Sequence, residues 1–152
     1  KLVEQVGNEL AASSQYLAIA IYFEQEAFGQ TAAFFYAQAE EEREHAMKLL
    51  KYVVETGGSV TLPAIPAPRA TITSAEDAFQ TSLKWEMEVT TQINDLMTLA
   101  KNQNDYLAQN FLNWFVNEQL EEVSTMEKFL TIVRKLGEKN IYMLEGIIAR
   151  AA

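Results

Sequence analysis

Apolar residues return along this chain at alternating intervals of four and three, the spacing that places side chains on one face of an α-helix. The first stripe, Leu2, Val6, Glu9, Ser13, Tyr16, Ala20, Phe23 and Ala27, predicts a helix over about residues 2–28 that Gly29 ends. A second, Phe35, Gln38, Glu42, His45, Leu49 and Tyr52, predicts a helix over 31–56 that stops at Gly57-Gly58. The third runs through Phe79, Leu83, Glu86, Thr90, Ile93, Met97 and Ala100, and Thr73 with Glu76 opens its helix, 73–101, as a capping box. The fourth, over 105–136, runs through Ala108, Phe111, Phe115, Gln119, Glu122, Met126, Phe129, Val133 and Leu136. Beyond Gly137, the residues Ile141, Leu144, Ile147 and Ile148 predict a fifth helix over 140–150. It is too short to persist in isolation and must dock, a neighbouring chain being one candidate.

All three prolines, Pro63, Pro66 and Pro68, fall between the second and third helices, in a stretch too long for a turn. Extended at about 3.3 Å per residue it reaches roughly 50 Å, more than the length of a 27-residue helix at about 40 Å. It predicts a crossover that starts the third helix at the opposite end of the bundle from where the second stopped. Short links make the other pairs antiparallel, so the expected fold is an all-α four-helix bundle, up-down-down-up, with a short fifth helix. At 152 residues the chain fits a single domain that buries about 70% of its unfolded surface without a metal staple. The two helical hairpins form a loose repeat, Glu9 then Glu42 in the first and Glu86 then Glu122 in the second.

Those four carboxylates are the anomaly in the stripes. Burying an ion without a partner costs several kcal/mol, and the stripes contain no Lys or Arg. A bound cation is the simplest remedy, and two-fold related carboxylates suit two metal ions. With no cysteine, thiolate zinc sites, iron–sulfur clusters and disulfides are excluded, leaving an oxygen-rich ligand set with little nitrogen. A formal net charge of −9 argues against nucleic acid and anionic membranes as partners. The longest unbroken apolar run, Tyr16–Phe23, is too short to span a bilayer, and no charged-then-apolar leader precedes the first helix. The chain reads as a water-soluble protein whose first residue, Lys1, is compatible with a removed presequence.

Glu42-Arg43-Glu44-His45 is a Glu-x-x-His step, with both ligands on one helix face a turn apart. Together with the lone glutamates of the other stripes it matches the carboxylate-bridged di-iron arrangement of helix bundles. Over nearly its whole length the chain resembles the non-haem ferritins, especially their bacterial and archaeal branch. The segments that carry the resemblance are Asn8-Glu9-Leu10 with Tyr16, Ala39 through Ala46, Trp85-Glu86, and most distinctively Asn110 through Glu122. The resemblance implies one iron held by Glu9, Glu42 and His45 and a second by Glu42, Glu86 and Glu122, with Glu42 bridging. It further implies a contact from Gln119 to the oxidised pair, a third and weaker site from Glu41, Glu118 and Glu121 sharing Glu122, and an electron-donating role for Tyr16. The implied chemistry is oxidation of Fe(II) by oxygen or hydrogen peroxide, then storage of Fe(III) inside a hollow shell of 24 chains.

The fourth helix has no second Glu-x-x-His, unlike bacterioferritins and most di-iron oxygenases, and Arg43 stands where haem-binding bacterioferritins carry Met. Haem is therefore not expected. The Asn102-Gln103-Asn104-Asp105 corner is less acidic than the three-fold iron channels of animal ferritins, and the Leu136–Ile141 link is short for the family. The resemblance places the protein in the cytoplasm, or in a plastid where a presequence has been removed. Two other readings remain: a ferritin-like di-iron oxidase or peroxidase without storage, and a helical interaction protein whose buried carboxylates are protonated.

Overall fold

The computed structural model describes residues 1–151 and contains five α-helices: α1 (Leu2–Gln25), α2 (Gly29–Glu55), α3 (Ala75–Asn102), α4 (Tyr106–Leu136) and α5 (Leu144–Ala151), the last preceded by a 3-10 segment, Glu138–Met143. Its contacts define two compact units. One comprises Lys1–Ala78 with the C-terminal stretch from Ile132, and the other comprises Phe79–Thr131. Among the described residues no helix is long and apolar enough to cross a membrane.

In the first unit α1 and α2 form an antiparallel hairpin whose core contains Tyr16, Ile19, Phe23, Phe35 and Leu49, all essentially inaccessible to solvent. Phe23 and Phe35 stack with centroids 5.5 Å apart, and Tyr16 tilts against Phe35 at 5.9 Å. Ser13 donates to the Ala39 carbonyl at 2.7 Å, tying the helices together where their small residues meet. Gly29 does not end α1; it begins α2. The chain turns at Ala27, whose φ of 63° lies in the left-handed region, with Ala27 N–H on the Glu24 carbonyl and Phe28 N–H on the Phe23 carbonyl. This is a Schellman closure, and Phe28 packs its ring back on Phe23 at 5.8 Å. Gly57 at the end of α2 and Asn104 after α3 make the same turn.

The proline-rich crossover lies along α1. Pro63 packs so closely on Gly7 that a Cβ there would stand 2.5 Å from the proline Cγ, and further along Gln15 both accepts from Arg69 N–H at 2.9 Å and donates to the Arg69 carbonyl. The crossover thus travels from the N-terminal end of α1 toward its C-terminal end. Its last residues cap α3, one position later than the Thr73 capping box predicted. Ser74 accepts from Asp77 N–H at 3.0 Å, while the Asp77 carboxylate accepts from Thr73 N–H and from Arg69. Glu76, released from capping, pairs with Arg134 at 2.8 Å.

The fifth helix docks on its own chain rather than needing a neighbour. Leu144 and Ile148 are buried, Tyr142 donates to the Ala27 carbonyl at 3.0 Å, and Glu145 reaches the start of α2. There its carboxylate accepts from Gln30 N–H at 2.7 Å, Thr31 N–H at 2.9 Å and the Thr31 hydroxyl at 2.6 Å. Because Phe28 has no side-chain acceptor, this distant glutamate satisfies amides that would otherwise be orphaned at the helix N-terminus.

In the second unit the buried face of α3 runs through Phe79, Ser82, Glu86, Val89, Ile93, Leu96 and Ala100. Leu83, Thr90 and Met97, placed in the stripe by the sequence pattern, are only half-buried. The two alternations share every second residue, so sequence spacing alone does not separate them. Thr90 instead bonds back to the Glu86 carbonyl at 2.8 Å. Phe79 meets Phe129 of α4 at 5.8 Å, and Asp105 caps α4 by accepting from Ala108 N–H at 2.9 Å.

Candidate metal centre

Each unit carries one cluster of buried acids. In the first, Glu9 of α1 faces Glu42 and His45 of α2; each offers a ligand atom, and these atoms lie within 4.8 Å of one another. Glu9 and Glu42 are 1% exposed and His45 is 5% exposed, well beyond ordinary glutamate burial. Nδ1 of His45 stands 3.3 Å from Oε2 of Glu42, one turn apart on α2. Among the described residues no Lys or Arg is buried, so no cationic side chain neutralises the acids from within the core.

The electrostatics express that conflict. Burial drives the Glu9 carboxyl well above its usual 4.5, and the neighbouring Glu42 carboxyl pushes it the same way. Two groups oppose the rise, the Gln5 amide by hydrogen bonding and His45 by its charge. Oε2 of Glu9 has no hydrogen-bond partner in the protein although it is sealed from water. A hard cation suits this arrangement: it supplies the missing positive charge, and clustered carboxylate oxygens with one imidazole form an acceptable first-row metal site. Metal binding would favour the ionised form of Glu9 that burial disfavours.

In the second unit Glu86 of α3 and Glu122 of α4 are 1% and 4% exposed, with carboxylate oxygens within 4.8 Å of each other. Gln119, also buried, donates to the Glu86 carbonyl at 3.1 Å and to Glu86 Oε2 at 3.2 Å, and its amide nitrogen lies 3.2 Å from the Thr90 hydroxyl. It therefore holds the Glu86 carboxylate in place.

The residues assigned to a third site are less enclosed. Glu41 is exposed, with Oε2 held by the Gln38 amide at 2.7 Å; Glu118 is half-buried and approaches Glu122; Glu121 is exposed. Tyr16 lies two turns along α1 from Glu9, buried against Phe35. The sequence reading missed Gln5 and Gln38, both buried within a turn of an acid, and Gln5 donates to Glu9 Oε1 at 2.9 Å. The available signal was position: each lies three or four residues before a glutamate on the same face.

The family model for the ferritin-like domain matches residues 1–136. The chain belongs to the ferritin family. A ferritin BfrB of Mycobacterium tuberculosis is 37% identical over 147 residues, covering 97% of this chain and 81% of that protein. A bacterial non-heme ferritin of Staphylococcus epidermidis is 36% identical, covering 97% and 90%. Among solved structures, an open pore ferritin from Archaeoglobus fulgidus matches with a TM-score of 0.93 at 31% identity, covering 97% of this chain and 91% of that one. The five helices are accordingly those of the ferritin-like four-helix bundle with its short C-terminal helix, and iron storage is the function that this membership supports.

Proposed function

We propose that this ferritin oxidises Fe(II) at a di-iron centre to which both acid clusters contribute, and stores the Fe(III) product inside a 24-chain shell. The carrying observation is the buried Glu9, Glu42 and His45 triad, two carboxylates and one imidazole with no Lys or Arg among them. In this reading Glu9, Glu42 and His45 receive one ferrous ion, Glu42, Glu86 and Glu122 receive the other, and Glu42 bridges them. Carboxylates favour the ferric product over the ferrous substrate, which lowers the cost of removing each electron. A pair of Fe(II) ions supplies the electron pair that converts dioxygen and two protons into hydrogen peroxide, or hydrogen peroxide and two protons into water. Protons displaced from the acids by metal binding are released at the same place.

Gln119 holds Glu86 against movement as charge builds, and Tyr16, buried against Phe35, supplies an additional electron. Glu41, Glu118 and Glu121, all more exposed than the buried acids, form with Glu122 a weaker site through which Fe(III) leaves for the interior. We read the chain as cytoplasmic, with no observation favouring a plastid. One mycobacterial relative carries the name bacterioferritin; Arg43 at the position of the haem-ligating methionine supports a haem-free protein here.

The test is titration of metal-free protein with Fe(II) in air, following ferric absorbance and particle size together. A fast phase saturating near two irons per chain, then slow loading far beyond it in a shell-sized particle, is the expected result. Saturation without further loading would favour a di-iron oxidase that does not store iron. A rate no faster than buffer would refute the proposal. Glu42→Ala is expected to abolish the fast phase while leaving helicity and particle size unchanged.

A further inference from the structure

We propose that Gln5 is a positioning residue for Glu9: its side-chain amide selects which carboxylate oxygen is presented to iron and so sets the affinity of the Glu9–Glu42–His45 site. The inference rests on the di-iron reading and extends it to a residue outside the ligand set. Gln5 lies four residues before Glu9 on α1, the spacing that stacks two side chains on one face. It is 2% exposed, in a position that ordinarily takes an apolar residue.

Two hydrogen bonds determine how its amide faces. Asn8 Nδ2 donates to Gln5 Oε1 at 3.2 Å, and Gln5 Nε2 donates to Glu9 Oε1 at 2.9 Å. With its oxygen already engaged by Asn8, the amide has its donor end directed at the carboxylate. Oε1 of Glu9 is thereby occupied by the amide, and Oε2 is left beside the Glu42–His45 pair with no amide donor of its own. A carboxylate held in this way is prepared to bind a cation through Oε2, with no rotation to be frozen when the ion arrives.

The choice of glutamine follows from the charge it lacks. A lysine or arginine at position 5 would stabilise the buried carboxylate equally well but would repel the incoming cation. A leucine would repel nothing but would leave both carboxylate oxygens to rotate or share a proton with Glu42. The neutral donor orders the ligand without competing with its cargo. Gln119 stands in the same relation to Glu86 in the other unit, reaching it from the adjacent helix.

The experiment uses Co(II) as an oxidation-inert probe, measuring its visible absorption on metal-free protein, together with Fe(II) oxidation rates. Gln5→Met, which keeps length and volume but removes the donor, is expected to retain the wild-type melting temperature within a few degrees and the wild-type Co(II) stoichiometry. Affinity at the Glu9–Glu42–His45 site should fall about 10- to 100-fold, as happens when a partner behind a metal ligand is removed. The Co(II) spectrum should change, and apparent KM for Fe(II) should rise with little change in the limiting rate. Should the Met variant misfold, Gln5→Leu makes the same test with a different shape. A folded variant whose Co(II) affinity and spectrum match wild type overturns the positioning role. Wild-type protein that binds no Co(II) at this site overturns the di-iron reading itself, so the two failures are distinguishable.

Discussion

Glu9 faces two opposed demands in the proposed centre: solvent exclusion favours its protonated form, and metal ligation would require the anion. Its raised proton affinity in the folded, metal-free protein gives this conflict a sign. Between 4.5 and the raised value, the folded state holds a proton at Glu9 that the unfolded chain has released. The stabilisation is complete below 4.5 and is lost as pH rises through the folded-state value. Glu9→Gln is neutral at every pH and keeps the shape, so the metal-free variant should gain stability over metal-free wild type as pH rises above 4.5, measured by urea denaturation. A gap that does not change with pH would show that Glu9 is not the titrating group. Metal should reverse the order, stabilising wild type more than the variant. The buried acids themselves were legible in the sequence because each is a carboxylate interrupting an apolar stripe, a placement with a high desolvation cost. Gln5 and Gln38 were not, because a neutral amide on a helix face is common and only its bonded partner gives it a role.

At the scale of elements, helix interiors were predicted more reliably than their ends. The interior follows a periodicity that any few turns display, whereas a terminus depends on which group satisfies the exposed amides and carbonyls. Ala27 adopts a left-handed conformation that the sequence would assign to Gly29, because the Schellman bonds and the Phe23–Phe28 contact compensate for the strain. The start of α2 is the stronger case, since its acceptor, Glu145, lies 115 residues from Gln30. Glu145→Gln keeps the size of the side chain but weakens its charge-assisted bonds to those amides. It should cost about 1–2 kcal/mol, with increased hydrogen exchange confined to the first turn of α2 and to α5. Uniform loss of protection across α1 and α2 would instead mean that the effect is not a local capping effect.

For the whole molecule, the packing predicts that bound metal acts as cargo and not as a fastening. The first unit's core is assembled from Phe23, Phe35, Leu49 and Leu144, with helix ends closed by protein groups, and burial favours the neutral form of Glu9 when no metal is bound. Removing metal with a chelator should therefore leave helical circular dichroism unchanged while lowering the melting temperature by only several degrees; unfolding on chelation would contradict this. The number and order of the helices, their family, and the glutamates and histidine that break the apolar faces were determined by the sequence by itself, because 3.6-residue periodicity and the cost of burying a charge both act within a few turns. Only the tertiary structure decided that Pro63 lies on Gly7, that Glu145 caps α2, that Ser74 and not Thr73 caps α3, and that Gln5 aims its amide at Glu9. Each of these depends on which groups are left without a partner once the chain is packed, and local spacing does not encode that.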